Sequence, residues 1–259
     1  MITLERMAGW ARRTIAGEYP RGKLDARYVQ LCRRTIAGTG ADGAGVVIVG
    51  ANDGKFNDPI YQVLADYRDR TRVLAIEPQR ALIPILEHNF AWHPRFAAHC
   101  AAVGDGGTMT LYSVAPDYWD DLVVPYAVGW PRHRAPSGIA SGDRARVISW
   151  IERFLPDPAK HDAALDEQQI VAEALPAIIE RAGFAGRTDI LQVDVEGFDD
   201  VVLLNSDLPK LRPKLIRFEH KHLDAERRAR IFRLLKDLRY ETIVSDQDCV
   251  AHLRGSGDR

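Results

Sequence analysis

Val46-Val47-Ile48-Val49 is an unbroken apolar run of strand length, which predicts a β-strand covered on both faces. Gly50 to Gly54 breaks the run, and residues 59–67 read as a helix. Residues 72–76 read as a second strand, 81–90 as a second helix, and 96–103 as a third strand closed by Gly104-Asp105-Gly106-Gly107. The order β, α, β, α, β predicts a mostly parallel sheet with right-handed crossovers.

Upstream, residues 2–37 recur at helical spacing, with Gly17 and Gly38 at C-cap positions. The hexapeptide Arg-Arg-Thr-Ile-Ala-Gly occurs at 12–17 and again at 33–38, which reads as two similar helix ends. Downstream, the alternation pauses. Residues 108–114 alternate like an exposed strand, with 145–150 as the expected partner. Between them lies a Pro-, Gly- and aromatic-rich stretch, including Tyr118, Trp119, Tyr126, Trp130 and His133. A loop of that length suits either a lid over substrate or an ordinary packed loop. Residues 167–181 read as a helix ended by Gly183, 189–195 as a strand, 201–204 as a short helix and 215–218 as a strand. Residues 225–238 read as an amphipathic helix, followed by a hairpin turning at Asp246-Gln247. The division expected is a helical extension over 1–45, one α/β domain over 46–254 with an insertion at 108–150, and a tail over 255–259.

Of 259 residues, 35 are Lys or Arg and 36 are Asp or Glu, so the formal net charge is −1. That balance gives no global attraction to nucleic acid, and neither nucleic acid nor membrane is an expected partner. The three cysteines, Cys32, Cys100 and Cys249, make neither a CxxC pair nor a disulfide framework. No apolar run reaches the roughly 20 residues that span a bilayer. Arg6, Arg12 and Arg13 interrupt what would be the apolar core of a secretory leader, so cytoplasm is the expected compartment. A homo-oligomer stays open.

Four segments concentrate chemistry. Gly50-Ala51-Asn52-Asp53-Gly54 follows a buried strand and precedes a helix, where a glycine turn lets a ligand approach backbone N–H groups. A dinucleotide fingerprint needs glycine at 50, 52 and 55, but Asn52 and Lys55 occupy two of those positions. A tight turn without a ligand is the alternative. Ile76-Glu77-Pro78 ends the second strand with an acid placed to accept hydrogen bonds from a ribose diol. Gln192-Val193-Asp194-Val195-Glu196-Gly197 sets two carboxylates at the sheet edge, on one face if the chain stays extended. Their repulsion calls for a cation, an arginine or a shared proton. Phe218-Glu219-His220 follows the next strand; His220 is a candidate general base, and an ion pair of Glu219 with Arg217 or Lys221 is the plainer alternative. A metal held by Asp194, Glu219 and His220 suits the ligand types but is not predicted. Ser137 and Ser141 are candidate ligand contacts, and Arg132-His133-Arg134 a candidate site for an anionic acceptor. The arginines at 227, 228, 230 and 233 read as a solvated helix face.

In this order the four segments resemble the FkbM family of S-adenosylmethionine-dependent methyltransferases. The family pattern is D-x-G-A-N-x-G, a strand ending E-P, K-x-D-x-E-G, and a strand ending in an acid; the likeness runs over about residues 46–245. It implies a Rossmann-like class I methyltransferase sheet, α/β, with strand order 3-2-1-4-5-7-6. It also implies S-adenosyl-L-methionine as cofactor, leaving as S-adenosyl-L-homocysteine. The methionine part lies over Gly50, Ala51, Asn52, Asp53 and Gly54, the ribose at Glu77 and Pro78, the adenine near Ala102 and Val103, and Asp194 lies alongside. The implied reaction is O-methylation of a hydroxyl on a sugar or secondary metabolite, with Asp194, Glu196 or His220 as base. Two positions depart: Ile48 stands for the acid that opens the first motif, and Gln192 for the lysine. The rival functions are a catalytically silent cofactor binder of this fold and a nicotinamide-dependent oxidoreductase. The glycine spacing disfavours the oxidoreductase.

Overall fold

The computed structural model describes residues 21–184 and 186–253. The first copy of the hexapeptide, Gly17 and the tail from 254 lie outside the described residues. Helix α1 (Arg21–Ala37) leads into β1 (Ala44–Val49). Helix α2 (Tyr61–Asp66), strand β2 (Thr71–Ile76), helix α3 (Ile83–Asn89) and strand β3 (Phe96–His99) complete the first half. A short β4 (Ala102–Val103), then β5 (Thr108–Val114), α4 (Arg134–Ser137), α5 (Arg144–Phe154) and β6 (Leu165–Glu173) form the middle. The second half runs α6 (Leu175–Arg181), β7 (Ile190–Val193), α7 (Asp199–Leu204), α8 (Leu208–Leu211), β8 (Leu215–Glu219), α9 (Ala225–Asp237), β9 (Tyr240–Val244) and β10 (Asp248–Leu253).

The main sheet has the order β3-β2-β1-β7-β8-β10-β9. Its strands pair in parallel except at β10, which runs antiparallel to both β8 and β9. With the middle hairpin set aside, this is the 3-2-1-4-5-7-6 order of a Rossmann-like class I methyltransferase. All six residues of β1 are buried because helices cover both faces. Val47 and Val49 face one core, with Ile178 of α6, Val202 of α7 and Phe232 of α9. Val46 and Ile48 face the other, with Leu24 and Tyr28 of α1 and Val63 of α2. Each such side chain contributes roughly 1.5–3 kcal/mol by leaving water. Helix α1 thus belongs to the central core and is not peripheral to it.

The middle of the chain corrects three expectations. The third strand is two: β3 stays in the main sheet, while β4 pairs with Ala172 and Glu173 of β6 in a separate three-stranded sheet, β4-β6-β5. The antiparallel partner of β5 is β6, not residues 145–150. Those residues fall in α5, where Val147, Ile151 and Phe154 are buried at helical spacing and the Asp143 carboxylate accepts from the N–H groups of Ala145 and Arg146. The helix expected over 167–181 begins only at Leu175; Pro176, with no N–H to lose in a first turn, marks its start. Val114, Val147, Ile151, Leu155 and Ala164 give the insertion a small core of its own.

Candidate functional site

The turn after β1 is shaped by packing as much as by any ligand. Gly50 has φ +75°, and a Cβ there would lie 1.9 Å from the Asp194 carbonyl oxygen; glycine lets the ends of β1 and β7 meet. Gly54 has φ +65°, and its Cβ would lie 2.5 Å from the Phe90 ring. Asn52 fills the middle position with φ +50°, a left-handed conformation that Asn tolerates. Its Oδ1 accepts from the Asp53 N–H at 2.9 Å.

Glu77 ends β2 beneath this turn and is 2% exposed. Its Oε2 accepts from the Asn52 N–H at 2.8 Å and its Oε1 from the Gln79 N–H at 3.0 Å. Burial raises its pKa, and the two N–H groups oppose that rise. Each oxygen keeps a lone pair beyond its main-chain donor. Glu77 lines a cleft with Gly50, Asn52, Pro78, Ala102, Val103, Asp194 and Glu196. The turn, the strand-end acid, the β4 pair and the two carboxylates thus meet in one hollow. Ala51, Asp53 and Gly54 line a narrower crevice behind the turn, together with Asp58, Gln192 and Arg217; Gly50, Asn52 and Asp194 border both spaces.

Strand β7 stops at Val193, and Glu196 turns left-handed with φ +50°. Asp194 and Glu196 therefore do not share the face of an extended strand, although both border the cleft. Asp194 borders the cleft and is exposed to it. Desolvation by the surrounding cleft, then the charges of Glu219 and Glu196, push its pKa up to about 7. Glu219 is buried and binds Lys221 Nζ through Oε1 at 2.6 Å. Burial raises its pKa and Lys221 opposes the rise. Arg217 points to the opposite face, pairing with Asp25 at 2.8 Å and stacking on Tyr28.

His220 does not reach the cleft. Its ring lies among Phe218 and Phe232, and Nε2 stands 3.1 Å from the Ser245 carbonyl oxygen. Burial and the Arg228 charge lower its pKa. The base expected there is turned into the core because alternation along the strand end sends Glu219 and His220 to opposite sides. Asp194, Glu219 and His220 consequently form no ligand set. Among the described residues Glu196, Glu219 and His222 do bring ligand atoms within 4.8 Å of one another, with Lys221 as a further cation.

Met109, Leu111 and Ile170 of the hairpin, which the sequence did not single out, line the cleft's outer wall. The candidates Arg134, Ser137 and Ser141 line it too. Ser137 is fixed by Asn52 Nδ2 at 3.0 Å and by the Gln79 side chain, which donates to its carbonyl oxygen at 3.0 Å. His133 Nε2 meets Asp53 Oδ2 at 2.8 Å. Asp53 is thereby committed to the insertion and to the Lys55 and Phe56 N–H groups. Trp119 and Trp130 surround a different hollow, so the portion that closes the cleft is 134–142 rather than 118–133. Of the arginines read as solvated, Arg227 pairs with Asp200 and donates to the Gly197 carbonyl oxygen, and Arg228 donates to that of His220; Arg230 and Arg233 are exposed.

A family model for the methyltransferase FkbM domain matches residues 49–242. The chain belongs to the FkbM methyltransferase family. Membership makes S-adenosylmethionine the methyl donor, and the cleft fits it. A buried, oriented carboxylate with spare lone pairs suits a diol, and Ala101, Ala102, Val103 and Ile170 give apolar walls for a flat base. No curated protein matches the chain in sequence. Among solved structures, this FkbM protein is similar to a methyltransferase from Geobacter sulfurreducens: 14% identity, covering 96% of this chain and 88% of that one, TM-score 0.37. It is also similar to a putative O-methyltransferase from Klebsiella pneumoniae, at 11% identity, 96% and 89% coverage and TM-score 0.37. A human methyltransferase 10 domain containing protein shows 10% identity, 91% and 84% coverage and TM-score 0.40. Among the described residues no helix is long and apolar enough to cross a membrane.

Proposed function

We propose that the protein transfers the methyl group of S-adenosylmethionine to a hydroxyl of a small molecule, with Asp194 as the general base. The observation that carries the reading is the placement of Asp194 on the same hollow as Glu77, with neighbouring acids that raise its proton affinity. A base works best when its pKa lies near the working pH. The bound sulfonium supplies an activated methyl group. The chain's own tasks are then to hold, align and deprotonate. Glu77 accepts hydrogen bonds from the ribose hydroxyls, and Ala102 and Val103 flank the adenine. Asp194 takes the proton of the acceptor hydroxyl as its oxygen attacks. The insertion covers the cleft and keeps bulk water from the nucleophile. A near-balanced net charge and a partly roofed cleft favour a small acceptor over a nucleic acid.

Calorimetric titration with S-adenosylhomocysteine tests the cofactor. Glu77→Ala is expected to weaken binding by about 1–3 kcal/mol, the loss of charge-assisted hydrogen bonds. Unchanged affinity removes Glu77 from the site. Transfer of labelled methyl to a hydroxyl-bearing acceptor, abolished when that oxygen is blocked, tests the reaction. Labelling only on nitrogen or carbon overturns O-methylation and leaves the cofactor in place. A silent cofactor binder draws on Ile48, and methyl transfer to any acceptor excludes it.

A further inference from the structure

We propose that Arg134, delivered by the insertion, forms an ion pair with the α-carboxylate of bound S-adenosylmethionine. The inference rests on the cofactor reading above. Arg134 opens a single helical turn that is clamped at both ends against the β1 turn, by His133 on Asp53 at 2.8 Å and by Ser137 on Asn52 at 3.0 Å. The backbone that carries Arg134 is therefore held to the β1 turn on both sides. It borders both the cleft and the crevice behind residues 50–54.

Its neighbours in sequence are committed, Arg132 to Asp120 and His133 to Asp53. Arg134 itself is ion-paired to no described residue, and its Nε is buried without a hydrogen-bond partner. The charge lies near Asp53, Asp58 and Glu77, but the buried Nε–H still lacks an acceptor, and that unmade hydrogen bond costs free energy until one arrives. Its planar fork matches a carboxylate.

The crevice selects which anion. Asp53, Asp58, Asp194 and Asp248 also line it, and its other cation, Arg217, is held by Asp25 and Asp248. A phosphate or a purely anionic acceptor would meet four carboxylates. A zwitterion presents its ammonium to those acids and its carboxylate to Arg134. The amino-acid end of S-adenosylmethionine is such a group, and it carries the cofactor's one negative charge.

The test compares S-adenosylhomocysteine with 5′-methylthioadenosine, which keeps the nucleoside thioether and lacks the amino-acid end. Calorimetry on the whole chain is expected to show Arg134→Met weakening S-adenosylhomocysteine by roughly tenfold or more, with methylthioadenosine changed less than about threefold. Arg134→Lys, which keeps charge without the fork, should fall between. Equal weakening of both ligands overturns the pairing and makes Arg134 a structural residue. No weakening of either also overturns it and leaves the cofactor site intact. If the unmodified protein binds neither ligand, the cofactor reading fails and takes this inference with it.

Discussion

Asp194 shows how one side chain acquires a reactive proton affinity from its surroundings. It sits in a concavity with Glu196 and Glu219 nearby, so ionising it adds a negative charge where two acids already stand. The base form gains population as pH rises through about 7. Turnover should therefore climb between pH 6 and 8, in a titration centred near 7. Asp194→Asn should flatten that profile and lower kcat by about 10²–10⁴, with S-adenosylmethionine affinity changed only a few-fold. An equal loss in affinity would make Asp194 a cofactor anchor. Stability carries the opposite sign. A carboxyl whose folded pKa is raised binds its proton more tightly in the folded state. Its stabilisation is complete below the unfolded value and is lost as pH rises through about 7. Melting of Asp194→Asn should gain on the unmodified protein more at pH 8 than at pH 5.

The departures at 48 and 192 look unrelated along the chain, but the parallel register of β1 and β7 sets Ile48 directly against Gln192. An acid and a lysine in the family pattern are thus replaced together by two neutral neighbours. Ile48 is 1% exposed and packs among α1 and α2 side chains. Gln192 accepts from the Tyr28 hydroxyl at 3.0 Å and donates to Asp58. A lone buried charge is costly, whereas a matched pair or a matched neutral couple is tolerated. Ile48→Asp should lose about 3–5 kcal/mol in urea unfolding. Adding Gln192→Lys should recover part of the loss, with a coupling of at least about 1 kcal/mol. Strict additivity would show that the two positions do not communicate. The same kind of non-local pairing explains the misread middle of the chain. Val147-Ile148-Ser149-Trp150 is β-prone by itself, yet Asp143 caps a helix there and β6 supplies the hairpin partner instead.

Across the molecule, the insertion and the methyltransferase sheet are joined over the cleft by a few polar contacts, the His133–Asp53 and Ser137–Asn52 links among them. Contacts of that kind are worth about 0.5–3 kcal/mol each, little enough for the segment to open without unfolding the core. His133→Ala should speed amide hydrogen exchange over residues 131–142 by about tenfold while leaving β1 and β7 protected. S-adenosylhomocysteine should slow exchange in the same segment. Exchange that rises equally in the central strands would mean the link supports the whole fold.

The central strands, the glycine turn, the strand-end acid and the acidic pair were legible along the chain, because each is a local pattern. Full burial forces an apolar run, a left-handed turn favours Gly or Asn, and an edge acid follows its strand. The tertiary structure alone decided which of these side chains meet. Register placed Ile48 opposite Gln192, alternation at the end of β8 sent His220 into the core, and the fold of the insertion carried Arg134 and Ser137 onto the turn. Those outcomes depend on contacts between residues far apart in sequence, whose closure is set by how helices and strands pack and not by any neighbouring residue.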